Sequence, residues 1–272
     1  NLHNEECNNE LKQNDSDALL NKGNLFLQRN DYQKAKEYFE LAAKQNNSDA
    51  QFSLGNIYSK GQGVKQNYLK AKEHYELAAN KNNSNALFRL GILFYNGLGV
   101  KKDPQKAIKY FELSAKLNNS DSFYNLGIIN SSGQYVKQNY KKAKEYFEHA
   151  AKQNHPDSFL NLGIMYCNGL GVKQDYSKAK EYFEIAAKQN NPNSFLYLGI
   201  LYHYGQGVKK DYKKAKEYYE LSAKQNNPVA FHNLGTLYFH GNGVKQNFDK
   251  AKFFFELAVK NNNLDALYDL GH

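Results

Sequence analysis

Residues 157–192 read DSFLNLGIMYCNGLGVKQDYSKAKEYFEIAAKQNNP, and residues 193–228 read NSFLYLGILYHYGQGVKKDYKKAKEYYELSAKQNNP. Laid one on the other, they keep a Leu-Gly pair, a Gly-x-Gly-Val-Lys loop, an Asp-Tyr step and a Lys-Ala-Lys-Glu-Tyr run in one register. The same 36-residue step extends outward in both directions. Gly55, Gly91, Gly127, Gly163, Gly199, Gly235 and Gly271 each follow a Leu, and Gly61, Gly97, Gly133, Gly169, Gly205 and Gly241 recur at the same interval. Self-similarity at this period marks a stacked repeat architecture, in which each unit buries its apolar face only against its neighbours. Six complete units run 49–84, 85–120, 121–156, 157–192, 193–228 and 229–264.

Within a unit the residue pattern predicts two helices. In 85–120, Ala86, Leu90 and Phe94 fall four apart on one face of a first helix, A, which Gly97 and Gly99 end. Pro156, Pro192 and Pro228, each preceded by His or Asn, fit the first turn of helix A behind an N-cap. Helix B starts after Asn67, Asp103, Asn139, Asp175, Asp211 or Asn247, all good N-caps. Its core face carries Tyr140, Ala143, Phe147 and Ala150, and its wet face is expected to pair Glu148 with Lys152 and Glu184 with Lys188. The Gly of each Leu-Gly pair sits inside helix A, where it costs about 1 kcal/mol relative to Ala. That cost is rational if the helix B ring needs the space: Tyr75, Phe111, Phe147, Phe183, Tyr219 or Phe255.

Outside the six units, residues 17–48 form a shorter opening repeat, and residues 265–272 begin another unit as a partial repeat or cap. Residues 1–16 are polar and aperiodic and are expected to form a disordered leader. In unit 121–156, Tyr135 replaces the second loop glycine and Asn130 the aromatic that ends helix A, so that loop is expected to differ.

The unit (A/S)-x-x-x-L-G-x-x-Y followed by G-x-G-V-K-x-D/N-Y-x-K-A-x-E-Y-F-E-x-A-A resembles the Sel1-like repeat, a relative of the tetratricopeptide repeat, which the opening unit resembles more closely. The resemblance covers residues 17–272. It implies an all-α fold, a right-handed α-solenoid superhelix of antiparallel helix pairs. It also implies work as a scaffold or adaptor, with helix A lining the concave face. The cysteine pairs of the family's cysteine-rich bacterial branch are absent, so residence in an oxidising space does not follow.

On that reading the function is non-enzymatic binding of a protein or peptide, with no cofactor. Helix A positions that vary while the frame stays fixed are the expected contact surface: Arg89, Tyr95, Asn161, Tyr197, His203, Tyr204, His232, Phe239 and His240. Two other classes compete. The net charge of +9 and the lysines that recur at 65, 101, 137, 173, 209 and 245 would suit nucleic acid or an anionic surface. Arginine appears only at Arg29 and Arg89, so the bidentate fork used in base and phosphate recognition is missing, which argues against nucleic acid. Cys167, His203 and His240 could face one groove and hold a metal or haem, but none has the spacing of a strong metal motif. The Gly-x-Gly-Val-Lys loops read as helix caps, since a nucleotide site is needed once and a cap in every unit.

Two cysteines, Cys7 and Cys167, make no disulfide framework, and no stretch is long and apolar enough to span a membrane. A soluble, cytoplasmic protein is favoured. The start at Asn1 rather than Met leaves periplasmic or secreted placement open.

Overall fold

In the computed structural model, the backbone of residues 2–270 and the side chains of residues 15–270 are described. The described residues form fifteen helices and no strand, an α-solenoid of helix pairs. The chain divides into two compact units, residues 1–129 with 133–137 and residues 130–132 with 138–272. The first holds α1 (Leu2–Gln28), α2 (Tyr32–Lys44), α3 (Ser48–Lys60), α4 (Tyr68–Ala79), α5 (Ser84–Asn96), α6 (Pro104–Lys116) and most of α7 (Ser120–Ser132). The second holds α8 (Tyr140–Lys152), α9 (Pro156–Asn168), α10 (Tyr176–Lys188), α11 (Pro192–Tyr204), α12 (Tyr212–Ala223), α13 (Pro228–His240), α14 (Phe248–Lys260) and α15 (Asp265–Leu270). Odd-numbered helices are A and even-numbered helices are B. Within each unit a helix packs against its predecessor and its successor, as in α3 on α4 and α4 on α5, or α11 on α12 and α12 on α13.

Local chemistry sets the helix ends. Asn67 Oδ1 accepts from Lys70 N at 3.0 Å and Asp175 Oδ1 from Lys178 N at 3.0 Å, supplying acceptors to amides that a helix start leaves unpaired. Helix A ends on a left-handed glycine, such as Gly205 at φ 71°, and each inter-repeat turn passes through an Asn at positive φ, such as Asn190 at 58°. His155 is an exception among the caps, since its side chain makes no cap hydrogen bond to α9.

The glycine inside helix A meets the ring assigned to it. A Cβ built on Gly91 would lie 2.6 Å from Phe111 Cδ1, and one on Gly199 2.5 Å from Tyr219 Cδ1. Both rings are essentially fully buried. Burial of such a ring contributes about 1.5–3 kcal/mol, more than the glycine costs.

A second set of contacts joins successive A helices. Asn83 caps α5 through Oδ1, accepting from Ala86 N at 2.9 Å, and its Nδ2 donates to Asp49 Oδ1 of α3 at 2.7 Å. Asn119 reaches Asn85, Asn191 reaches Asp157 and Asn227 reaches Asn193 in the same way. One amide therefore ties a helix to its own cap and to the preceding repeat.

Two expectations change, and the loop of unit 121–156 differs as expected. The backbone of residues 2–14 continues α1 rather than forming an irregular leader; no Gly or Pro precedes Gly23, so nothing in the sequence stops helix propagation. Side chains of that stretch, Cys7 included, lie outside the described residues. The ion pairs run in the opposite order from that expected, Lys144 with Glu148 at 2.5 Å and Lys180 with Glu184 at 2.7 Å. The stems of Lys144 and Lys180 are three-quarters covered beside tyrosines of neighbouring helices, whereas Lys152 and Lys188 are exposed. In the loop of unit 121–156, Tyr135 does not take the positive φ of the glycines it replaces. Its carbonyl accepts from Gln105 Nε2 at 2.9 Å and its ring meets Tyr95 edge-on at 5.5 Å.

Candidate functional site

Of the nine helix A residues, Arg89 and Tyr95 belong to the first unit and the other seven to the second. Arg89 is exposed on α5. Tyr95 is half-buried, with Phe111 at 6.4 Å and the edge contact to Tyr135 on its ring.

In the second unit the side chains grade from packed to open. Asn161 is half-buried and donates to Asp157 O one turn back at 2.9 Å. Tyr197 stacks on Phe183 with ring centroids 4.9 Å apart, and burial pushes its phenol up. Cys167 lies close to Tyr197, and burial pushes its thiol up as well, away from a reactive thiolate. His232 bonds Asp269 of α15 at 2.6 Å, so it serves the docking of that helix.

His203 is half-buried. Its ring lies 4.6 Å from Tyr204, 5.2 Å from Tyr212 and 6.2 Å from Tyr219. Its Nδ1 is buried with no hydrogen-bond partner among the described residues. Burial, with the charges of Lys210 and His240 adding to it, holds the imidazole below its ordinary value. Beside it Tyr204 is 64% exposed and His240 is exposed. Phe239, half-buried, meets His240 and Phe248 edge-on at 5.1 and 5.4 Å.

The open end of the patch is aromatic. Phe239, Phe248 and Phe255 line a hollow of about 380 Å³ with Asp249, Lys252 and Leu270. Phe248, 59% exposed, is a residue the sequence reading did not select. Its signal is faint: a Phe where Tyr68, Tyr140, Tyr176 and Tyr212 stand in other units. Among the described residues no group of three or more His, Cys, Asp and Glu could hold a metal ion. No described helix is long and apolar enough to cross a membrane.

The Sel1 repeat family model matches residues 48–83, 84–119, 121–155, 159–191, 196–227 and 228–263, and a tetratricopeptide repeat model matches residues 16–49. A Sel1 repeat protein from Oxalobacter formigenes is 31% identical, with a TM-score of 0.81 over 89% of this chain and 99% of that one. A protective antigen present in uropathogenic Escherichia coli strains, displaying an SLR fold, is 30% identical with a TM-score of 0.84 over 94% of this chain. This chain spans 56% of that antigen's length. The search of curated proteins gave no match. Proteins built from these repeats are in general scaffolds for protein interaction. With matches to six successive units, the chain belongs to the Sel1 repeat family.

Proposed function

We propose that the chain is a non-enzymatic scaffold that binds a protein or peptide on the A-helix surface of its second unit, centred on Tyr204, Phe239 and His240. The observation that carries this reading is the 64% exposure of Tyr204, a large aromatic at the end of α11, together with the edge-to-face Phe239 and Phe248 pair of the same unit. Aromatic side chains held by a packed frame provide contact area at little entropic cost and dominate binding energy where they cluster. Family membership supports the class of function, and the variation of these positions between otherwise constant units supports the place.

The test is capture of partners from source-cell extract, identification by mass spectrometry, and titration of the purified partner against the parent and a Tyr204→Ala, Phe239→Ala variant. We expect a loss of at least about 2 kcal/mol, roughly 30-fold in Kd, with helical circular dichroism retained. Equal affinity for both chains would remove the partner from this surface.

A further inference from the structure

We infer that the edge formed by the loop after α11 and the first turn of α12 is a receptor for an acidic, Glu- or Asp-rich protein segment. This deepens the scaffold reading and rests on it. The motivating feature is a cleft of about 740 Å³ whose walls carry Lys209, Lys210, Lys213 and Lys214 over a floor that includes Tyr202 and Val208.

Repetition alone does not account for this cluster. The matching positions of unit 157–192 are Lys173, Gln174, Ser177 and Lys178, and those of unit 229–264 are Lys245, Gln246, Asp249 and Lys250. Two lysines in each of these units become four in unit 193–228, against three in units 85–120 and 121–156. One of the added pair displaces a structural group. Gln174 Nε2 donates to Cys167 O at 2.8 Å and to Tyr176 Oη at 2.9 Å, pinning its loop to helix A, and Gln246 likewise donates to Phe239 O at 2.8 Å. Lys210 stands at that position and places its ammonium over the Tyr212 ring, 4.9 Å from the centroid. In the first unit Lys102 makes the same exchange, but Gln105 occupies the position of Lys213.

The charges in this cleft are only partly compensated. Elsewhere in the unit lysines pair along helix B, Lys180 with Glu184 and Lys216 with Glu220 at 2.6 Å. Among the described residues none of Lys209, Lys210, Lys213 and Lys214 has a carboxylate within ion-pair distance. Asp211 also lines the cleft, its Oδ1 accepting from the amides of Lys213 and Lys214, so one carboxylate stands against four lysines without an ion-pair partner. Four ammonium groups on one cleft repel one another, and a polyanion relieves that repulsion.

Polyanions differ in what they require. Single-stranded nucleic acid binds by stacking bases on free rings. Here Tyr202 already stacks on Tyr218 at 5.7 Å and lies under the Lys214 ammonium at 5.1 Å, while Tyr212 holds Lys210 and the edge of His203. Lysine is a point charge without the planar fork that reads bases. A row of carboxylates needs only point charges at the rim, and its methylene stems suit Val208 beside the lysine stems.

The experiment is fluorescence anisotropy with fluorescein-labelled decaglutamate and, for comparison, labelled decathymidylate, at 50 and 300 mM salt. Wild type should bind decaglutamate more tightly than decathymidylate, and the higher salt should weaken it. Lys209→Glu with Lys213→Glu should weaken decaglutamate at least tenfold. Glu in the first turn of α12 suits the helix dipole, so the fold should persist. Lys209→Gln with Lys213→Gln, a milder pair, should weaken it at least threefold. Lys188→Glu with Lys224→Glu, an equal charge change elsewhere in the unit, should stay within twofold. Three results overturn the inference: no binding of decaglutamate, equal loss in the Lys188, Lys224 pair, or decathymidylate bound at least as tightly through the same lysines. In each case partner capture that depends on Tyr204 and Phe239 would leave the scaffold reading standing.

Discussion

Gly163 and Phe183 claim the same volume: a Cβ on Gly163 of α9 would lie 2.6 Å from Phe183 Cδ1 of α10. The ring is fully buried, so it has nowhere to retreat. Gly163→Ala gains about 1 kcal/mol of helix propensity but forces the ring out of its seat, at about 1–3 kcal/mol. The net expectation is a lower melting temperature for Gly163→Ala and a larger drop for Gly163→Leu, read by thermal circular dichroism. A Gly163→Leu chain as stable as the parent would show that α9 and α10 do not meet this closely.

The amide joints make a second, asymmetric prediction. Asn191 Nδ2 donates to the Asp157 carboxylate at 3.0 Å, whereas Asn227 Nδ2 donates to the Asn193 amide oxygen at 2.9 Å. Asn191→Asp keeps the cap but sets two carboxylates against each other, and should cost about 1–3 kcal/mol at neutral pH. Asn227→Asp meets an amide that can turn its NH₂ toward the new carboxylate, and should cost less than about 1 kcal/mol. Thermal melts of the two variants at neutral pH would separate them.

At position 210 the expected change is stabilising. Lys210→Gln restores the side chain that in Gln174 bonds a helix A carbonyl and the following tyrosine hydroxyl. One net hydrogen bond is worth about 0.5–1.5 kcal/mol. Hydrogen exchange of the 205–211 loop should slow in the variant, and unchanged exchange would place the loop's order elsewhere.

His203 gives a pH dependence whose sign can be worked out. Its folded imidazole titrates below the ordinary value of 6.5 because burial, Lys210 and His240 all disfavour its charge. Above 6.5 both folded and unfolded chains hold it neutral, and its contribution is complete. As the pH falls below 6.5 the unfolded chain takes up a proton that the folded chain refuses, so stability declines until the folded value is reached. His203→Phe, which copies Phe239, should therefore shrink the difference in melting temperature between pH 7.5 and pH 5.5. The same difference in both chains would show that other groups carry the acid sensitivity.

Much of this architecture was legible because it depends on single residues. Gly163, Asp175 and Asn190 each declare a packing gap, a helix start and a left-handed turn by their own chemistry, and 36-residue spacing says where the next one falls. The ion pairs and the site were less legible because they depend on pairs. Glu184 turns back to Lys180, which lies partly covered beside tyrosines of neighbouring helices, rather than forward to exposed Lys188. Tyr197 and Tyr204 both occur at variable helix A positions, yet one stacks on Phe183 and the other stands in solvent. The Asn joints, too, could have been found as Asn or Asp recurring 34 residues before a capping Asn, but only once A helices were known to lie side by side.

Those joints bear on how such a chain can change its length. Asp49 and Asn83 sit inside one 36-residue module, as do Asp157 with Asn191 and Asn193 with Asn227. Each of these modules thus carries both the socket on its own first helix and the amide that plugs into it while capping the helix that comes next. Copying or excising a whole module leaves each remaining connector complete, whereas a cut at any other period strands one half. Recombination between near-identical modules is then structurally silent at every junction with this connector, and the reach of the binding surface can be inherited as a simple count.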